Sequence, residues 1–201
     1  MSERDTDTTT SSISSFYDEQ SVFVTGATGF VGKVLIEKLL RCSAKLKAMY
    51  VLVRPQRGKT AKQRTADMLT DRVFDHLRTE QPTFTNKIIV CEGDIMKPNL
   101  GLSEEDTATI TDNVSVVFHS AATVKFDEPL KLSVKMNVVG VKQLIALCHR
   151  MTNLKALIHI STAYSHCDRS QIDETIYPPS LPPDKLIETL NLCYCACARK
   201  I

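Results

Sequence analysis

An apolar run, Ser21 to Thr25, leads directly into Thr25-Gly26-Ala27-Thr28-Gly29-Phe30-Val31-Gly32, and an amphipathic stretch from Phe30 to Leu40 follows. Three glycines at this spacing, between a strand and a helix, constrain the fold more than anything else in the chain. Gly26 permits a tight turn, Gly29 lets the backbone approach a pyrophosphate, and Gly32 allows the helix to pack closely on the strand. The phosphates of a dinucleotide then sit on free N–H groups at a helix N-terminus. An isolated glycine trio is equally an ordinary turn; the strand before it and the helix after it favour the dinucleotide site. Thr25, Gly26, Thr28, Gly29, Phe30, Val31 and Gly32 are therefore the first candidate cofactor-binding residues.

With 201 residues the chain is long enough for one sizeable core, and a second full domain is not expected. A net charge of +2 gives no field that argues for nucleic acid. The seven cysteines are odd in number and lack framework spacing, which fits a reducing, cytosolic setting. Cys193, Cys195 and Cys197 alternate as a thiolate metal site would allow, but no His or acidic ligand nearby completes a tetrahedral set, so no metal is expected. Met1 to Ser15 holds nine Ser or Thr and almost no large apolar side chain, so residues 1–17 read as a disordered leader and 18–201 as the folded domain. The leader has no apolar core of a secretory signal, and no run approaches the ~18 apolar residues of a membrane span.

Apolar runs alternate with 3.6-period segments from residue 21 onward. Strands are expected near 21–25, 48–53, 87–91, 114–120 and 156–161, and alternation of this kind means a parallel, doubly wound α/β sheet of Rossmann type. Leu69, Val73 and Leu77 mark one face of a helix across 61–78. Ser103-Glu-Glu-Asp106 opens a short helix to about 111 as a capping box. Val134, Val138, Val141, Leu144, Ile145 and Cys148 line one face of a helix from about Pro129 to His149. Tyr177-Pro-Pro179 and Leu181-Pro-Pro183 then break regular structure, leaving room for only a short helix over Asp184 to Leu190.

Strand two ends in Arg54, about 22 residues past Gly32, where an NAD-selective site would carry an acidic residue for the ribose 2′-hydroxyl. A guanidinium there pairs with a 2′-phosphate, and Arg57 and Lys59 follow closely, so NADPH is the expected cofactor; the plainer reading is three solvated charges on a loop. Strand three ends in Gly93-Asp94-Ile95, and the Asp94 carboxylate either accepts from an adenine amino group or caps the following turn. Strand four delivers His119-Ser120-Ala121-Ala122 to the same edge, where small residues let the middle of the cofactor lie against backbone. His119 is either a strand-end side chain or a general base.

Gly26 to Gly32, Asn99-Leu-Gly-Leu-Ser-Glu-Glu-Asp106, His119-Ser-Ala-Ala-Thr-Val-Lys-Phe-Asp-Glu-Pro-Leu130 and His159-Ile-Ser-Thr-Ala-Tyr164 together resemble the N-terminal domain of the fatty acyl-CoA reductases, extended short-chain dehydrogenase/reductases. The resemblance runs from about residue 18 to about 190. It implies NADPH-dependent reduction of a long-chain acyl-CoA to a fatty alcohol through an aldehyde, Ser161 as catalytic serine and Asn137 as the active-site asparagine of the fourth helix. It also implies a family usually tied to endoplasmic reticulum or peroxisome. On the residues themselves, Ser161 is also a plain strand-end serine and Asn137 a helix-distorting one.

The family site needs a Tyr and a Lys one helical turn apart. The residues four beyond Tyr17, Tyr50, Tyr164, Tyr177 and Tyr194 are Ser21, Arg54, Asp168, Leu181 and Ala198. None is lysine, so the sequence reads as a shortened form with little activity, its sheet C-terminally incomplete and its strand-five edge open to dimerisation or aggregation. The other readings are a non-catalytic NADPH-binding module, a thioester reductase for carrier-bound acyl groups, and a sugar-nucleotide epimerase.

Overall fold

Parallel strands buried on both faces should read as unbroken apolar runs, whereas edge strands alternate. That distinction orders the sheet. A computed structural model describes residues 12–125 and 127–198. Strands β1 (Ser21–Thr25) and β2 (Ala48–Val53) are buried at every position. Strands β3 (Ile88–Glu92) and β5 (Ala156–His159) alternate, and β4 (Val116–His119) is again fully buried. The five are parallel in the order β3-β2-β1-β4-β5. Successive strands are added to one side from β1 to β3 and to the other from β4 to β5, and this switch between β1 and β4 places the ligand crevice beyond their C-terminal ends.

Successive side chains point to opposite faces, so the sheet has two cores. On one face Val22, Val24, Val51 and Val116 pack with Ile36, Leu39 and Leu40 of helix α2 (Phe30–Cys42), and with Phe74 and Leu77. On the other, Phe23, Leu52 and Val117 pack with Ile110 of α5 (Glu104–Asn113) and Leu144 and Leu147 of α7 (Gly140–Cys148). Each such side chain stabilises the fold by roughly 1.5–3 kcal/mol relative to exposure.

Four elements differ from the sequence reading. The helix expected over 61–78 is broken into α3 (Ala61–Leu69), a 3₁₀ turn (Arg72–Phe74) and α4 (Asp75–Glu80). Asp71 causes the break: its carboxylate accepts from the Val73 amide at 3.2 Å and pairs with Lys33 of α2, which restarts the chain in a new direction. The full capping box is at Thr60 and Gln63, opening α3, where Thr60 Oγ1 accepts from the Gln63 amide and Gln63 Oε1 from the Thr60 amide. At Ser103 only the hydroxyl half is formed, to the Asp106 amide at 3.0 Å.

The helix expected from Pro129 to His149 is α6 (Leu130–Val134), a π-helical turn (Lys135–Val139) and α7. Of the expected face, Val134, Leu144 and Cys148 are buried and Val138 and Val141 half-buried; the wider turn shifts the end of that face, so Ile145 is exposed and Leu147 takes its place in the core. The last helix, α8 (Pro183–Ala198), has 16 residues rather than a single short run, with Pro183 at its first position, where proline's missing N–H costs nothing. The alternating cysteines are thus in a helix; their side chains lie outside the described residues. So do residues 1–11 of the expected leader. Residues Ser12–Phe16 form a short helix α1, and Tyr17 packs its ring 6.4 Å from that of Phe118, so the leader expected through 17 is ordered in its last part. Among the described residues β5 pairs only with β4 and forms a sheet edge.

Candidate functional site

The glycine turn is shaped by what lies against it. Gly26 has φ +73, and a Cβ there would lie 2.6 Å from backbone atoms of Ser120 and Ala121, so the strand-four strap rests directly on it. A Cβ on Gly32 would meet the Gly26 carbonyl oxygen at 2.2 Å, which is why α2 can start so close to β1. Gly29 is different: only the Gly26 carbonyl oxygen comes near, and the rest of its surroundings are open. Gly29 is the N-cap of α2 and no side chain caps the helix. The 13-residue helix therefore presents its first amides and its positive dipole end to an open space.

That space is a cleft of about 220 Å³ between the ends of β1, β2, β3 and β4. It is lined by Gly26, Thr28, Gly29, Arg54, Asp94, Ile95, Ser120, Ala121 and Ala122 of the expected set, with Leu52, Gln56, Arg64 and Met136 besides. Thr25 is not in its wall. Fully buried, its hydroxyl lies 2.6 Å from His119 Nδ1 in a hydrogen bond and accepts from the Ala121 amide at 3.3 Å. Its carbonyl accepts from Ser120 Oγ at 2.8 Å. Thr25 and Ser120 thus fasten the strap from behind. Phe30, 81% exposed, and Val31 stand on the outer side of the α2 N-terminus, and neither they nor Gly32 line the cleft.

His119 is only 1% exposed, and its ring stacks 5.2 Å from that of His159. Burial, with His159 beside it, pulls its pKa down to about 4, so it is neutral near pH 7. At 1% exposure behind the strap, the imidazole does not line the cleft, which favours the strand-end reading over the general base.

The cationic end holds one residue the sequence reading missed. Arg64, at the end of the first turn of α3, donates to the Arg54 carbonyl oxygen and, at 3.3 Å, to Thr28 Oγ1. Burial and the neighbouring Arg54 and Arg57 lower its pKa from the ordinary value, yet a guanidinium stays charged at neutral pH. The signal was available: Thr60-x-x-Gln63 fixes where α3 begins, and the next residue is Arg64. Arg54 itself lies 3.8 Å from the Asp94 carboxylate. Lys59 is instead paired with Asp67 at 2.6 Å. Asp94 caps its turn, accepting from the Met96 amide at 2.9 Å, and also lines the cleft.

Asn137 falls inside the π turn, a feature that recurs at functional sites. Its carboxamide accepts from the Thr123 amide at 2.9 Å and donates to the Thr123 carbonyl at 3.1 Å, tying the strap to the helix. Ser161 lies just past β5, exposed, with Oγ 3.4 Å from Ser165 Oγ, and is not part of the cleft wall. Among the described residues no group of His, Cys, Asp and Glu has the arrangement of a metal site.

A family model described as "Male sterility protein", an NAD-binding domain, matches residues 24–192. The chain is 48% identical over 180 residues to fatty acyl-CoA reductase 1 of Homo sapiens and 42% identical over 181 residues to fatty acyl-CoA reductase 2 of the same organism. Each match covers 90% of this chain and 35% of the relative, so the chain spans about a third of the length of these proteins. The terminal R domain of the myxalamid PKS-NRPS pathway superimposes with a TM-score of 0.59 at 28% identity, covering 72% of this chain and 35% of that one. UDP-glucuronic acid 4-epimerase from Bacillus cereus, at 22% identity, 90% of this chain, 53% of that chain and TM-score 0.54, shares the fold.

Proposed function

The chain belongs to the NAD-binding Male sterility protein family, and from that premise we propose that it is the NADPH-binding part of an enzyme that reduces long-chain acyl-CoA to fatty alcohol by way of the aldehyde. One observation carries the reading: a single cleft has an uncapped helix N-terminus over an open Gly29 at one side and the Arg54–Arg64 pair at the other. Pyrophosphate suits the first and a ribose 2′-phosphate the second. A reduced nicotinamide bound there supplies hydride. The protein's own work is to hold the two phosphate groups, to keep the strap of Ser120, Ala121 and Ala122 against the cofactor through Thr25 and Asn137, and to offer the Ser161 hydroxyl to the substrate carbonyl oxygen.

Titration of cofactor fluorescence tests the reading. NADPH binds more tightly than NADH, and equal affinity for the two would sink the 2′-phosphate assignment. Assay with palmitoyl-CoA against an acyl group on a carrier protein separates the acyl-CoA reductase from the thioester reductase, which the likeness to R domains favours as the second reading.

Among the described residues no helix is long and apolar enough to cross a membrane. The free thiols of Cys42, Cys91, Cys148 and Cys167 suit a cytosolic location. The open edge of β5, with Leu157 and Ile160 part-exposed beside it, is the surface through which we expect two copies to associate.

A further inference from the structure

We infer that the left-handed turn Asn99–Leu100–Gly101, locked by the Asn99 carboxamide, is a positioning element that aims Asp94 at the adenine base of the cofactor. The inference rests on the proposed NADPH site. Three consecutive residues have positive φ, 50° at Asn99, 58° at Leu100 and 63° at Gly101. Glycine accepts this freely and asparagine with little strain, but a leucine there is unusual. Something must hold it.

Two things do. Leu100 is fully buried in the core on the α5 and α7 face of the sheet. Asn99 is tied to three separate places: its amide donates to Gln143 Oε1 of α7 at 3.2 Å, its Nδ2 donates to Thr107 Oγ1 of α5 at 2.8 Å, and its Oδ1 accepts from Arg150 at 3.0 Å. The turn cannot relax without breaking contacts to both helices.

Its product is one short hydrogen bond. The Leu100 carbonyl accepts from the Asp94 amide at 2.6 Å. The chain passes so close that a Cβ on Gly93 would lie 2.5 Å from that same carbonyl oxygen. Had residue 100 kept a right-handed conformation, its carbonyl would point elsewhere and Asp94 would lose the contact. With the amide held from below, Oδ1 engaged by the Met96 amide and Oδ2 3.8 Å from Arg54, the carboxylate of Asp94 is fixed in the cleft wall with lone pairs still open to a donor. Gly140 of α7 backs the same loop, since a Cβ there would touch Ile95 at 3.2 Å. A carboxylate held in this way accepts a hydrogen bond from the 6-amino group of adenine and repels the 6-oxo group of hypoxanthine.

The test uses the whole 201-residue chain and two reduced cofactors, NADPH and its hypoxanthine analogue, which differ at the 6-substituent and in the proton that hypoxanthine carries on N1. The parent binds NADPH about tenfold more tightly than the analogue, the ratio for one hydrogen bond to a charged group. In Asn99→Ala this ratio falls toward one while the preference for NADPH over NADH is kept, because Arg64 is held by the Arg54 carbonyl and Thr28 Oγ1 and touches neither the Asn99 turn nor Asp94. Arg150→Ala removes one tie from the surface, leaves the core intact and narrows the ratio partway, so the outcome does not hinge on the first variant folding. Unchanged base discrimination in both variants overturns the positioning role. Parallel loss of both preferences overturns it too, since that is general loosening. A parent that prefers NADPH to NADH but does not distinguish the two bases removes adenine recognition by Asp94, and the turn's role with it, while leaving the NADPH site standing.

Discussion

Arg54 and Arg64 come from a strand end and a helix, and the cleft brings them together over Thr28. A charge-assisted pair to a 2′-phosphate contributes roughly 1.5–3 kcal/mol, about one to two orders of magnitude in affinity. Arg54→Asp should therefore narrow or reverse the preference for NADPH, and Arg64→Ala should weaken NADPH while leaving NADH nearly untouched, both read by fluorescence titration. His119 makes a pH prediction. Its pKa is about 4 in the fold against 6.5 as a free side chain. Between those values the unfolded chain binds more protons, so acid favours unfolding. The stability that neutral His119 contributes is complete above about pH 6.5 and is lost as the pH falls toward 4, on the order of 3 kcal/mol in all. Urea melts from pH 7.5 to 4.5 should show this fall, and it should flatten in His119→Gln.

At the level of elements, the strap after β4 continues the pairing with β1 by one backbone bond, Ser120 amide to Thr25 carbonyl at 3.3 Å, and is otherwise held at both ends by side chains. Asn137 holds it from the π turn and Thr25 from β1. Asn137→Ala removes two hydrogen bonds to the Thr123 backbone and should cost about 1–3 kcal/mol in urea unfolding. Limited proteolysis should then cut the strap sooner, and cofactor affinity should drop with it. Asn137→Leu with unchanged cleavage and affinity would show that the π turn alone sets the strap. The helix break at Asp71 and the capping box at Thr60 act similarly: single polar side chains choose where α3 begins and where α4 restarts. Thr60→Ala should cost about 1 kcal/mol, and, by fraying the first turn that carries Arg64, should also weaken NADPH binding.

For the molecule as a whole, the alternating exposure of β5 and its single neighbour among the described residues leave a row of backbone groups available to another strand. The purified 201-residue chain should elute from size exclusion as dimer or larger species, and Leu157→Lys beside that edge should shift it toward monomer. A monodisperse parent monomer with a cooperative melt would contradict this. None of the five tyrosines has a lysine four residues on. General acid catalysis is typically worth 10²–10⁴-fold, so the 201-residue chain assayed alone should show little turnover of palmitoyl-CoA at the nicotinamide absorbance band. Robust alcohol formation would point to another proton donor.

What was readable from the chain was everything set by neighbours in sequence. The apolar runs 21–25 and 48–53 matched β1 and β2 residue for residue, and Gly26, Gly29 and Gly32 carried the cleft's shape, because strand period and glycine sterics act over a few residues. Arg54, Asp94 and the small residues 120–122 were legible as strand ends at one sheet edge. Other features needed partners far along the chain. Arg64 reaches Thr28 across 36 positions, Asn99 reaches Gln143 across 44, and His119 meets Thr25 across 94. Whether a polar side chain faces a ligand or braces a loop depends on which distant group sits beside it once the sheet is wound. For that reason Thr25 and Asn137 turned out to hold the strap, and Arg64 and the Asn99 turn came into view only in the folded molecule.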